Sequence, residues 1–123
     1  RGFAAGYETF PDVLATNIDV DHLVKDLQQS GTAVSITSDD AGRYLCDFIY
    51  YCSLAESRRS LYHNPPDNKN DTTQVLFLHC CPVGQPFSTE EVTEGIKRIV
   101  VWVCNELQAR DAKSPSAATS HEI

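Results

Sequence analysis

The chain has 123 residues, near the commonest size of one domain, and its 17 acidic against 10 basic side chains leave a formal net charge of −7. That acid excess argues against the broad basic surface nucleic-acid binders need, while 41% hydrophobic and 22% charged residues suit a folded core better than a disordered chain. No apolar run nears the roughly 20 residues that span a bilayer, and the first ten residues lack the regions of a signal peptide, so no membrane association is expected.

Methionine is absent, which predicts a piece of a longer translation product. The five cysteines are an odd number, and Cys80 and Cys81 are neighbours that could be bridged only with strain. Reduced thiols, and hence the cytosol, are expected.

In chain order, residues 1–17 read as an irregular approach with two glycines and a Phe10-Pro11 dipeptide. Asp19 can cap a helix whose Val20, Leu23, Val24 and Leu27 share one face, with Gly31 as its stop. The β-favouring run Thr32 to Thr37 predicts a strand, broken by Ser38, Asp39 and Asp40. From Ala41 to Ala55 the residues Tyr44, Leu45, Phe48, Ile49, Cys52 and Ala55 recur at helical spacing and predict a second helix. Ser57 to Thr73, rich in Pro, Asp and Asn, predicts a surface loop with an insertion at Pro65 to Thr73. The continuous apolar run Val75 to Leu78, stopped by Pro82, suits an inner strand of a sheet covered on both faces. Ser88 with Glu91 is a capping box opening a third helix, Thr89 to Leu107, with an apolar stripe through Val92, Ile96, Ile99, Val100, Val103 and Leu107. Gln108 to Ile123 has no periodicity and predicts a disordered tail. The order helix, strand, helix, loop, strand, helix predicts an α/β fold with a mostly parallel sheet, occupying residues 18–107.

In such a sheet reactive groups collect where strands end and helices begin. Cys46 stands there, in the first turns of the second helix, where free backbone N–H groups and the positive end of the dipole favour a thiolate nucleophile. His79, at the end of the next expected strand, is the candidate base that two parallel strands would bring beside it. The plainer alternative makes Cys46 a small buried hydrophobe and His79 a histidine bonded to a carbonyl. Cys52 and Cys104 read as core residues, Tyr44, Tyr50 and Tyr51 as helix packing, and His22, His63 and His121 as surface. His79-Cys80-Cys81 holds the ligand types of zinc, but adjacent strand residues point to opposite faces and no C-x-x-C partner exists, so no metal is expected.

The segment from Ser38 to Phe48, SDDAGRYLCDF, resembles the S-x-x-A-G-x-Y-x-C-[ND] motif of the pyroglutamyl peptidase I (pyrrolidone-carboxylate peptidase) family, and Phe77 to Pro82 is similar to that family's F-x-H-x-P region. The likeness covers roughly Ile18 to Leu107, the C-terminal half of a family member, with Asp47 and Tyr50-Tyr51 most like the vertebrate enzyme or its paralogue. It implies the C-terminal part of a three-layer α/β/α domain, Cys46 as nucleophile and His79 as general base. Ser38, Ala41, Gly42 and Tyr44 become turn-shaping motif residues, Gly42 because a side chain there would crowd the substrate. The implied activity is that of a cysteine peptidase acting on peptides with an N-terminal pyroglutamate, with no cofactor or metal. The glutamate that orients the family's histidine belongs to its other half. A non-catalytic paralogue keeping the fold as a binding or vestigial module is the alternative.

Overall fold

A computed structural model of the protein describes residues 5–32, 37–63 and 72–113. These contain three helices, α1 (Val20–Gln29), α2 (Leu45–His63) and α3 (Thr89–Lys113). No helix among the described residues is long and apolar enough to cross a membrane.

Helix α1 is bounded by local chemistry at both ends. The Asp19 carboxylate accepts from the backbone N–H of His22 at 3.0 Å, satisfying one of the donors that a first helical turn leaves without a partner. At the other end Gly31 takes φ +79°, and its N–H donates to the Gln28 carbonyl while the Thr32 N–H donates to that of Leu27. This paired return is a Schellman motif, and the left-handed residue at its centre explains a glycine there. Leu23 and Leu27 of the expected apolar face are buried, together with Ile18.

Helix α3 opens on Ser88, whose Oγ accepts from the Glu91 N–H at 3.1 Å. The Glu91 carboxylate completes the exchange through the Ser88 hydroxyl at 3.3 Å, not through the Ser88 backbone N–H of the usual capping box. The helix continues through Lys113, so Gln108 to Lys113 is helical where a disordered tail was expected. Two observations account for it. Gln, Ala, Arg and Lys are good helix formers, and Arg110 both lies 3.7 Å from Glu106 one turn earlier and donates to the Asn17 carbonyl at 3.3 Å. Residues 114–123 lie outside the described residues.

The two helices pack together around a polar clasp. Trp102 Nε1–H donates to Asp26 Oδ2 at 2.9 Å, and His22 Nε2 lies 3.1 Å from the same oxygen. The His22 and Trp102 rings meet edge to face at 5.3 Å. Arg98 adds a second tie, donating to Thr32 Oγ1 at 2.7 Å.

Helix α2 differs from its expected span at both ends. It begins at Leu45 because Gly42, at φ +93°, cannot be helical, and it runs to His63 through Ser57 to Ser60, where a loop was predicted. Arg59, bonded to Glu56 at 2.9 and 3.0 Å, supports that extension. The helix is fastened to residues 5–17 and 72–79: Tyr51 donates its hydroxyl to the Pro11 carbonyl at 2.8 Å, Arg58 donates to Ala15, and Ser57 donates to Thr73. Leu54 and Ala55 are buried in its middle, but Leu45, Phe48 and Ile49 are 73%, 66% and 53% exposed, so the first two turns of the expected apolar face are uncovered.

The expected α/β architecture, the C-terminal part of a three-layer α/β/α domain with a mostly parallel sheet, is overturned. The described residues hold three helices and no strand. Of the strand placed at Thr32 to Thr37, residues 33–36 lie outside the described residues. The run Val75 to Leu78 is described and forms no ladder. Its carbonyl at Val75 is taken by the Thr16 hydroxyl at 2.5 Å, and the Thr73 carbonyl just before it by the Ser57 hydroxyl. A strand exists only through its neighbour's backbone; here side chains serve the carbonyls instead. Val75, Leu76 and Phe77 are half-buried and Leu78 is 44% exposed, unlike a strand covered on both faces.

Candidate functional site

The approach to Cys46 is a tight polar turn. Ser38 Oγ accepts from the Asp40 N–H at 3.1 Å and donates to the Asp40 carbonyl at 2.9 Å, and Asp40 Oδ1 accepts from the Gly42 N–H at 2.8 Å. These bonds fix the chain just ahead of the glycine. A Cβ at Gly42 would meet no protein atom within 4 Å, so within the protein it is the backbone dihedral, φ +93°, that calls for glycine here. Tyr44 follows, 88% exposed instead of packed. Its carbonyl accepts the first intrahelical bond, from Phe48, which puts the half-buried Cys46 in the first turn of α2 beside Asp47.

His79 reaches this helix through a relay of rings. Tyr50 lies one turn after Cys46 on α2, where residues four apart share a face. Its ring sits 5.5 Å from that of Phe77, and Phe77 meets the His79 ring edge-on at 4.8 Å. The segment carrying the histidine is thus laid against the helix carrying the thiol. Cys46 and His79 are not themselves joined: no hydrogen bond links them among the described residues. Both remain open to solvent in part, His79 more so.

The exposed His79 also lines a cleft of about 250 Å³ between residues 78–81, the end of α1 and the first half of α3. Cys46 does not line it; Cys80 and Cys81 do. The segment is not a strand, and His79, Cys80 and Cys81 all border this one space. Among the described residues no group of three or more His, Cys, Asp or Glu is arranged to hold a metal ion. All five cysteines are free. Cys104, expected in the core, is exposed, and Cys52 is half-buried.

Arg98 was not singled out from sequence. It borders the same cleft, tied to Glu94 at 3.3 Å and to Thr32. The Glu94–Arg98 spacing was visible as a helical ion pair; the bond to Thr32 depends on how α1 and α3 meet.

Comparison with curated proteins matches these residues to one group. Pyroglutamyl-peptidase 1 of Homo sapiens is 31% identical over 107 residues, covering 86% of this chain and 44% of the relative. Pyroglutamyl-peptidase 1 of Mus musculus is 33% identical over 94 residues, covering 76% and 38% respectively. Over most of its length the chain is similar to proteins named pyroglutamyl-peptidase 1. The human Pyroglutamyl-peptidase 1-like protein is 41% identical over 68 residues, covering 54% of this chain and 34% of that protein. The chain therefore spans less than half the length of the curated relatives it matches. No family model matches it, and no solved structure does.

Proposed function

We propose that this chain carries the nucleophile and general base of a cysteine peptidase that removes N-terminal pyroglutamate from peptides, with Cys46 as nucleophile and His79 as base. The observation that supports it most is the Tyr50–Phe77–His79 relay, which lays the histidine segment on the helix whose first turn holds Cys46, in a chain similar to proteins named pyroglutamyl-peptidase 1. In this reading the Cys46 sulfur attacks the carbonyl carbon of the pyroglutamyl residue. The developing oxyanion is met by backbone N–H groups of the first turn of α2, which have no partner within the helix. As the C–N bond breaks, His79 gives its proton to the leaving amine. It then takes one from the water that hydrolyses the thioester, releasing pyroglutamate and restoring the thiolate. This chemistry needs only a thiolate and an imidazole.

One observation favours a second reading, a binding module without turnover: Cys46 and His79 share no hydrogen bond among the described residues, and no carboxylate among them is bonded to His79. Loss of such an orienting partner lowers turnover by about 10⁴-fold in a serine protease. The two readings separate in one assay, release of a fluorescent amine from its pyroglutamyl amide. The chain is fused to the remainder of a pyroglutamyl-peptidase 1 relative and compared with the Cys46→Ser and His79→Ala versions of the fusion and with the 123-residue chain alone. Turnover by the fusion, lost in both variants and absent from the bare chain, supports the peptidase. A fusion that folds and is inactive supports the binding module.

A further inference from the structure

The vicinal thiols at the cleft border do no work in the reaction above, and their surroundings suit a particular ligand. Cys80 is exposed and Cys81 half-buried, both are reduced, and both border the cleft that Val92, Ile96 and Ile99 of α3 line together with Glu91, Glu94 and Arg98. Consecutive Cα atoms across a trans peptide are about 3.8 Å apart, below the roughly 4.4–6.8 Å that a relaxed disulfide spans, so the two sulfurs are poorly placed to bond directly. One bridging atom between them enlarges the ring and removes that conflict. A metal of tetrahedral preference such as zinc would require two more protein ligands, and no group of three or more candidate ligands is assembled among the described residues. A soft centre that is complete with two thiolates and one carbon needs nothing beyond the pair.

We propose that Cys80 and Cys81 form a binding site for trivalent organoarsenicals, with the organic substituent seated against Val92, Ile96 and Ile99 of α3. The reaction is a condensation: the arsenic–oxygen bond of an organoarsenic oxide breaks, two arsenic–sulfur bonds form, and the oxygen leaves as water with both thiol protons. Arsenic stays trivalent throughout, so no oxidant or reductant is needed. Neither Cys46 nor any turnover enters.

The test uses the full chain and phenylarsine oxide, with adduct formation followed by native mass spectrometry. One adduct per chain is expected, lost in Cys80→Ser and in Cys81→Ser, retained in Cys52→Ser and Cys104→Ser, and removed by 2,3-dimercaptopropanol. Since any adjacent thiol pair has some affinity for arsenic, the cleft is tested separately. A phenyl ring about half removed from water should bind about tenfold more tightly to the folded chain than to the chain in urea. Ile96→Asp, with helicity checked by circular dichroism, should weaken phenylarsine oxide and leave inorganic arsenite unchanged. An adduct that survives either single Cys→Ser change, or equal affinity of the folded and unfolded chains, overturns the proposal.

Discussion

Replacing Trp102 by Phe tests the clasp between α1 and α3. The indole N–H donates to Asp26 Oδ2 at 2.9 Å, and the ring meets His22 edge to face. Phe keeps an aromatic ring for packing and removes the donor with the five-membered part of the indole. A hydrogen bond to a charged acceptor contributes about 1.5–3 kcal/mol when well buried. The Asp26 side chain is 39% exposed, so water takes over the vacated acceptor site and the loss should fall to about 1 kcal/mol. Trp102→Ala also removes the ring; a fully buried Trp→Ala change costs about 3–5 kcal/mol, and this half-buried position should lose about 2–3 kcal/mol. Trp102 is the single tryptophan, so its fluorescence disappears in both variants. Urea unfolding is therefore followed by far-ultraviolet circular dichroism, where a lower midpoint at constant slope reports lost stability. A double-mutant cycle with Asp26→Asn should return a coupling of about 1 kcal/mol. If Phe costs nothing while Ala still costs the full amount, or if the coupling is zero, the hydrogen bond contributes nothing and packing alone joins the helices.

Two glycines with empty space around them should respond with opposite signs. Gly42→Ala places a side chain at φ +93° and should cost about 1–2 kcal/mol, whereas Gly95→Ala, inside α3 with nothing within 4 Å of its added Cβ, should stabilise by about 0.5–1 kcal/mol; thermal unfolding of the pair checks both. Ser88→Ala removes the acceptor of the Glu91 N–H and should cost about 1 kcal/mol, while Ser88→Asp should retain most of the stability. Arg110→Ala breaks a partly exposed pair with Glu106 and the bond to Asn17, so urea unfolding should register a loss below about 1 kcal/mol. If the fused peptidase turns over, chelators added to the assay should leave its rate unchanged, because thiolate and imidazole carry the chemistry; a rate lost to chelator and restored by zinc would contradict that reading.

The features legible in the sequence were those whose cause lies within a few residues. Asp19, Gly31 and the Ser88–Glu91 pair mark helix ends because each satisfies backbone groups of its own turn. The run from Ser38 to Phe48 and the segment around His79 were enough to point to the family, since a motif is a property of the chain itself. Tertiary structure decided what depends on a neighbour. Val75 to Leu78 has the composition of an inner strand, yet its surroundings offer a threonine hydroxyl to the Val75 carbonyl in place of a partner backbone. Helices α2 and α3 outrun their apolar stripes because Arg59 and Arg110 find carboxylates one turn away, and Arg58 and Arg110 also find carbonyls of residues 15–17. That Cys80 and Cys81 border one cleft, and that His79 is laid by rings against the helix of Cys46, follows from where separate segments meet in space. Spacing along one chain carries no record of such meetings: helical and strand periodicities orient a side chain about its own axis, and only packing sets which axes come together.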